Sequence, residues 1–546
     1  MRNSYYGAFR TPNIPGLLSQ QVSSVMGIFD PMNLVCKLDA SISEPLQREG
    51  LIHETNKRSP EAFAFATLLH ETVHWWQYVG TSSGIIAALT IPLQTHVIRQ
   101  PLLELVQGEI PQKPIHWEVF KNPKRQDPLR SLVNRIVNNW MDIEFSYALL
   151  DDPKHAPTLC NDDFFDSIGH SHSVHLANAW LLLTSTFDQD VSADRLEAWA
   201  TEFGKLRERR VRGYYRGSPA VLPPLGALHI REGQARISEL QYRALACGET
   251  WEDFERLGLL RNEYRLAFDT FLKVLGINRP DDPLSNVVDI FCLLCDIALN
   301  PSVGYPDDIV DFQSFAFDIN PGVRFLTACN VLRAKPNLIE SLKYNNKQDY
   351  DRICAEICHP IGWKTPIEVA ASIVRWFRDM RGTGEILTEA ISGECKPENL
   401  SVRFVCGRHL LLLHDKIERP DFFCWPAHHM TFMLRQDKHE DEIIRSLLVK
   451  NHPIFVTRGL NTAVGVHKGT GWTDAVGARL LATYFRWQLH YDLIRQWVSE
   501  SGAFNYDYSW LDPTKTPSEY ERWLTNGFSE LFGCGLADIR PNPDCS

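Results

Sequence analysis

The sequence has no long uninterrupted apolar segment. Hydrophobic residues make up 44% of the 546 residues, yet Pro92 and Gln94 interrupt the apolar run after Gly84, and Asp296 interrupts the run around Ile290. Neither run approaches the ~18 apolar residues that a membrane-spanning helix requires. The first residues, MRNSYYGAFRTPNIPGLL, also lack the pattern of a secretory signal. We therefore expect a soluble, cytoplasmic protein with no membrane association.

A disulfide framework and an excess of basic residues are also lacking. The 13 cysteines are an odd number and follow no regular spacing, which is typical of free thiols in a reducing compartment. The net charge of -11 argues against general binding to nucleic acid or to anionic membranes. No internal repeat or low-complexity segment interrupts the chain. Its length exceeds what one compact core accommodates, so two or three domains are expected.

Helical signals dominate the rest of the sequence, and strand signals are few. Thr365 and Thr516 each begin a capping box in which proline occupies the first helical position. The best strand signal is the segment 33–42, which we predict to be a sheet edge able to pair with an extended peptide. The expected fold is mainly α (α+β), with a small β element and a large helical C-terminal region. We place a domain boundary near residue 300.

A helix of about twenty residues is predicted between Ser59-Pro60 and Gly80. Serine before proline is a strong helix start, and glycine is a natural stop. Apolar and aromatic side chains cover most of the helix, so it should be buried. Its polar residues recur at helical spacing and form one stripe. They are Thr67, His70, Glu71, His74 and Gln77.

This stripe has the HExxH pattern of a zinc hydrolase. Histidines four residues apart lie on one helical face, so His70 and His74 can bind one zinc ion at about 2.0–2.1 Å. Glu71 lies too far around the helix to be a good third ligand, but it is well placed to take a proton from metal-activated water. Burying these groups without partners would cost several kcal/mol. A metal cleft would provide the partners.

A third ligand is expected from the downstream helical segment HIREGQARISEL. Glu232 in this segment is the candidate ligand, and Glu239 lies seven residues later on the same face. Glu239 is the candidate acceptor for the free N–H of a histidine ligand. Gly233 would allow another helix to approach closely.

The two segments together resemble the gluzincin metallopeptidases. In the aminopeptidase branch of that clan, HExxH is followed by a helix with the pattern EGxAxxxE. The matching residues here are His70, Glu71, His74, Glu232, Gly233, Ala235 and Glu239. The resemblance implies a zincin-like core that holds Zn²⁺, with Glu232 as third ligand and Glu71 as general base. Two features differ from the family: the long stretch 75–231 between the segments, and Arg231 in place of an asparagine.

From this resemblance we expect a zincin-like metallopeptidase domain over residues 1–300, with a long helical insertion at about 80–225. Residues 301–546 would form a helical domain that regulates the cleft or docks a substrate. The expected function is an intracellular endopeptidase with restricted, triggered activity in a stress or defence response. Its partners would be a protein or peptide substrate and a protein activator or inhibitor. An aminopeptidase and a non-enzymatic scaffold with a structural or vestigial metal site are the alternatives, and the oligomeric state stays open.

Two further groups of residues resemble metal or redox sites. His170, His172 and His175 form a second histidine cluster, in which His172 and His175 could chelate from the start of a helix. We predict an exposed loop there instead. Cys292 and Cys295 form a CxxC within the apolar stretch VVDIFCLLCDIAL, and we predict a buried helix rather than a redox site.

Overall fold

The computed structural model describes most of the chain. The described residues are 26–49, 60–107, 112–115, 128–188, 194–430, 438–457, 459 and 462–541. No helix in these ranges combines the length and apolar character needed to cross a lipid bilayer. Ser59, the predicted helix cap, lies outside the described residues.

The elements of the N-terminal half run as follows. They are β1 (Gly27–Asp30), β2 (Val35–Leu38), α1 (Ala40–Glu49), α2 (Pro60–Val79), α3 (Ser82–Ala88), α4 (Thr90–Gln107), β3 (Gln112–Lys113), α5 (Pro128–Asp151), α6 (Ala156–Leu159), α7 (Ile168–Phe187), α8 (Asp194–Glu208), α9 (Ala227–Cys247), α10 (Trp251–Arg256), α11 (Glu263–Leu275) and α12 (Asn286–Leu299).

The C-terminal half continues the same helical pattern. Its elements are α13 (Phe315–Asp318), α14 (Pro321–Ala334), α15 (Asn337–Ser341), α16 (Lys347–Cys358), α17 (Pro366–Arg378), α18 (Thr383–Ser392), α19 (Leu400–Glu418), α20 (Pro420–Cys424), α21 (Pro426–Met430), α22 (Lys438–Lys450), β4 (Phe455–Val456), β5 (Gly465–Val466), α23 (Asp474–Ser499), α24 (Pro517–Phe532) and β6 (Arg540–Pro541). The mainly α fold with a small sheet is therefore confirmed.

Helix α2 is buried along almost its whole length, as the sequence predicts. It begins at Pro60 with Glu61 in its first turn and ends before Gly80. A Cβ at Gly80 would lie 2.4 Å from the Leu412 side chain of α19, so glycine there lets α19 pack against the end of α2. Both the apolar and the polar residues of α2 from Ala64 to Val79 are buried.

Helix α9 packs along α2 and against α11 and α12. It ends at Gly248, whose φ of 66° is the left-handed conformation that favours glycine. In its middle, a Cβ at Gly233 would lie 3.1 Å from Phe291 of α12 and 3.3 Å from Ala267 of α11. Gly233 therefore lets α11 and α12 approach α9 closely.

A four-stranded sheet covers one side of α2. The strand order is β1-β2-β4-β5, with β1 and β2 antiparallel and β2 and β4 parallel. The prediction for residues 33–42 was wrong in two respects. Only Val35–Leu38 forms a strand, because α1 begins at Ala40, and this strand lies inside the sheet between β1 and β4 rather than at its edge.

The hydrophobic interior of the described residues forms two main clusters. The larger surrounds α2, α4, α5, α19 and α23, and the second surrounds α9, α11, α12, α14 and α16. Each cluster includes residues from both sides of position 300. The capping boxes at Thr365 and Thr516 are confirmed at the starts of α17 and α24.

The second histidine cluster was wrongly predicted as an exposed loop. His170, His172 and His175 lie in the first half of α7, and His172 and His175 are buried against α5. The prediction failed because the helix begins at Ile168 with Ser167 as its N-cap. Cys292 and Cys295 are fully buried in α12, which confirms the helical prediction for the CxxC segment.

The first turn of α3 gives a test of how closely this helix packs against the end of α2. A Cβ at Gly84 would lie 2.0 Å from the carbonyl oxygen of Gln77, so Gly84→Ala should destabilise the protein by about 1–3 kcal/mol. Gly204, within α8, has no atom within 4 Å of an added Cβ. Gly204→Ala is the control and should stabilise by up to about 1 kcal/mol. Equal midpoints of chemical denaturation for the two variants would contradict this packing.

Candidate metal centre

Helices α2 and α9 bring three potential metal ligands together. The Nε2 atoms of His70 and His74 are 3.2 Å apart. The Glu232 Oε2 lies 3.6 Å from the Nε2 of His70 and 3.3 Å from that of His74. These are the three residues that the sequence selects as ligands. Within the described part of the chain, no other group of three His, Cys, Asp or Glu side chains offers such a cluster.

The spacing of the three atoms fits a tetrahedral zinc site. Ligands at about 2.0–2.1 Å from zinc in a tetrahedron are about 3.3 Å from one another, and the three separations here are 3.2, 3.3 and 3.6 Å. Two imidazoles and one carboxylate are donors that zinc prefers. Three protein ligands leave one tetrahedral position for water or substrate, which is the arrangement of catalytic rather than structural zinc sites.

The second ring nitrogen of His74 is held by a chain of hydrogen bonds. His74 Nδ1 donates to the amide oxygen of Gln77 at 2.9 Å. The amide nitrogen of Gln77 in turn donates to the carbonyl oxygen of Arg231 at 3.0 Å and to Gln234 Oε1 at 2.9 Å. Because an amide oxygen only accepts, the proton of His74 is fixed on Nδ1. Its Nε2 lone pair is then free to bind a metal.

The Glu239 carboxylate lies beside the second ring nitrogen of His70. Its Oε2 lies 3.2 Å from His70 Nδ1 and also accepts a hydrogen bond from Arg236. The other carboxylate oxygen of Glu239 lies 3.7 Å from Arg243. These charges keep Glu239 ionised, because Arg236 lowers its pKa although burial alone would raise it. Glu239 thus lies next to His70, and its role as the acceptor for a histidine ligand stays a prediction.

Glu71 lies next to the three ligands but outside their cluster. Its carboxylate packs against the backbone of β1, since a Cβ at Gly27 would lie 2.9 Å from Glu71 Oε1. Burial raises the pKa of Glu71 above its ordinary value, while His70 and His74 partly offset this increase. A raised pKa makes a carboxylate a better proton acceptor near neutral pH.

The three candidate ligands lie in a cluster of charged side chains that is almost completely buried. Burial and Arg236 lower the pKa of His70, but Glu232, Glu239 and Glu71 outweigh them, and the pKa of His70 is about 9. Burial raises the pKa of Glu232, but the adjacent His74 and His70 lower it further, so that it stays well below its ordinary value. The fractional exposures of His70, His74 and Glu232 are only 5%, 1% and 2%.

Several residues of this centre were not predicted from the sequence. Tyr264 of α11 stacks edge-on to His70, with ring centroids 5.8 Å apart, and the Arg236 guanidinium lies 4.0 Å from the centre of the Tyr264 ring. Gly27 of β1 lies against the carboxylate of Glu71. No motif marks these positions, because α11 and β1 reach the centre only through tertiary packing.

Arg231, at the position where the sequence differs from the gluzincin pattern, links three helices. Its guanidinium NH1 lies 3.1 Å from Asp151 of α5 and donates to the hydroxyl of Tyr78 at 3.1 Å. The residue thus joins α9 to α2 and to the end of α5, a helix within the long segment that separates the two motifs.

Comparisons of the chain with protein-family models, with curated proteins and with solved structures give no match.

The ligand assignment predicts the metal content of point variants. We expect one zinc ion per wild-type chain, little or none after His70→Ala or His74→Ala, and strongly weakened binding in Glu232→Gln, because an amide oxygen is a poor zinc ligand. The exposed His414 offers a control, and His414→Ala should retain full zinc. Elemental analysis of the purified variants measures this directly. Full zinc in the double variant of His70 and His74 would contradict the assignment.

The position of Glu239 predicts a smaller effect. Glu239→Gln keeps an acceptor for His70 Nδ1 but removes the negative charge, so zinc affinity should fall by about 10–100-fold, as for other residues that orient a ligand. Competition with a chromophoric chelator measures the dissociation constants. A loss in Glu239→Gln as large as that in Glu232→Gln would mean that Glu239 itself binds the metal.

Proposed function

We propose that the chain is a zinc-dependent peptidase in which His70, His74 and Glu232 bind Zn²⁺ and Glu71 is the general base. One observation carries the proposal: the three donor atoms lie 3.2–3.6 Å apart, and Glu71 lies beside them without joining the cluster. The substrate is a protein or peptide, and the expected location is the cytoplasm.

Zinc in such a site supplies Lewis acidity to a peptide carbonyl and to water. The protein residues provide the rest. Glu71 removes a proton from the attacking water and delivers it to the departing amine. A buried carboxylate of raised pKa is suited to act as both general base and general acid in this way. Glycine at position 27 leaves space for the Glu71 carboxylate beside β1, because an added Cβ would lie 2.9 Å from Glu71 Oε1.

We propose Tyr264 as the residue that stabilises negative charge on the substrate carbonyl, because its ring packs edge-on against His70 with ring centroids 5.8 Å apart. Burial and the neighbouring Glu232 raise the pKa of Tyr264 well above its ordinary value. Its hydroxyl therefore stays protonated at neutral pH and is able to donate a hydrogen bond. Donors of this kind typically contribute about 100–1000-fold to kcat.

The alternative of a non-enzymatic protein with a structural metal site has one supporting observation, the burial of the ligands and of Glu71, all at most 5% exposed. The alternative of an aminopeptidase would require an acidic side chain that anchors the free amine of the substrate beside the metal. We propose that an activator or inhibitor would act through the contacts between the C-terminal half and the end of α2. His409 Nδ1 lies 2.5 Å from the carbonyl oxygen of Val79, and Trp76 donates to the carbonyl oxygen of Asn451 at 2.8 Å.

The test of the proposal is Glu71→Gln. The amide cannot accept the proton, so hydrolysis of a peptide library should fall by at least about 100-fold, while zinc content and thermal stability stay near those of the wild type. The matched control is Glu398→Gln, at an exposed position, which should leave activity unchanged. Near-native turnover in Glu71→Gln would exclude Glu71 as the base. A zinc-loaded wild-type chain that cleaves no peptide, alone or with cell extract, would favour the structural site.

A further inference from the structure

A small cavity lies beside the metal-binding helices, where α3, α5, α7 and α9 meet. Its volume is about 60 Å³, and its wall is mostly apolar. The polar side chains in the wall include Ser146 of α5, His172 and His175 of α7, and Arg231 of α9. None of the three candidate metal ligands is among its described lining residues, so the cavity is separate from the metal centre.

One hydroxyl bridges the two histidines of this cavity. Ser146 Oγ lies 2.9 Å from His172 Nδ1 and 3.0 Å from His175 Nδ1. A serine hydroxyl has a single proton, so it donates to only one of the two nitrogens. The other histidine must donate its own Nδ1 proton to the serine oxygen for both contacts to be hydrogen bonds.

Both histidines are neutral at physiological pH. Burial lowers the pKa of His172 to about 3 and that of His175 to about 4. A neutral imidazole carries one proton on one of its two nitrogens. The serine bridge therefore sets opposite tautomers: one ring has a bare Nε2 that accepts a hydrogen bond, and the other has an Nε2–H that donates one.

The Nε2 nitrogens of the two rings have no hydrogen-bond partner in the described protein. The Nε2 atoms of His172 and His175 are buried and unpaired, and so is the Nε of Arg231. Buried polar atoms are almost always hydrogen-bonded. These three unpaired atoms belong to side chains that line one cavity, which indicates a hydrogen-bonding partner within it. The partner must accept from two N–H groups and donate to one bare nitrogen.

We propose that this cavity binds a small neutral molecule bearing a carboxamide group. A carboxamide oxygen has two lone pairs for the N–H donors, and its N–H donates to the bare imidazole nitrogen. A carboxylate would place a second negative charge near Asp151, which already pairs with Arg231 at 3.1 Å, and has no proton for the bare nitrogen. An ammonium group would meet the guanidinium. At about 10–15 Å³ for each water-sized position, the cavity accommodates about five non-hydrogen atoms.

The test compares five-atom probes on the zinc-loaded full-length protein. Propionamide offers both a donor and an acceptor, butanone only an acceptor, and propionate an anion. Saturation-transfer NMR titration should give a millimolar dissociation constant for propionamide and values at least tenfold weaker for the other two. A crystal soaked with propionamide should show the amide in contact with both Nε2 atoms. Equal binding of the three probes, or density for water alone, would overturn the proposal.

Point variants assign the site to these residues. His175→Leu and, in case that variant does not fold, the polar His175→Gln should each weaken propionamide at least tenfold without changing zinc content. Ser173→Ala, on the same helix but outside the cavity lining, is the matched control and should bind as the wild type does. Nitrogen-15 NMR of labelled histidine should show opposite tautomers for His172 and His175. Unchanged affinity in both His175 variants, or identical tautomers, would contradict the proposed site.

Discussion

The polar contact between the buried faces of α2 and α9 is the constraint on which the rest of the structure depends. Two imidazoles and two carboxylates lie there at exposures of 5% or less, and an uncompensated charge in such a position would cost several kcal/mol. Each group has its partner on the facing helix: His70 and His74 face Glu232, and His70 also faces Glu239. The two helices must therefore pack in one register.

That register determines what surrounds the pair. Arg236 and Arg243 balance the charge of Glu239, and the Tyr264 ring covers both Arg236 and His70. Gly233 lets α11 and α12 pack closely against α9. Removing one charged partner would leave the others buried and unpaired. The charged residues of this otherwise apolar region therefore stabilise one another as a group.

The local parts of this centre could be read from the sequence, and the tertiary parts could not. The spacing of His70 and His74, and of Glu232 and Glu239, follows from helical periodicity, which survives without any knowledge of the fold. Gly27 and Tyr264 reach the centre through strand and helix packing, for which a single sequence holds no signal. The prediction of an exposed loop at the histidines of α7 was wrong because polar residues near a helix start resemble a loop in sequence. In the structure, the buried Ser146 of α5 pairs with His172 and His175.

The small sheet joins two segments that are far apart in the described chain. Strand β2 pairs with β4, and Leu38 donates to the hydroxyl of Thr457, a residue 419 positions away. Such a distant pairing is slow to form, because a very long loop must close before any contact is gained. Strand β1, which lies against Glu71, belongs to this sheet. A nascent chain thus carries both metal-binding segments and the β1–β2 hairpin before β4 and β5 are made, so the four-stranded sheet closes beside α2 only after residue 466 has been synthesised.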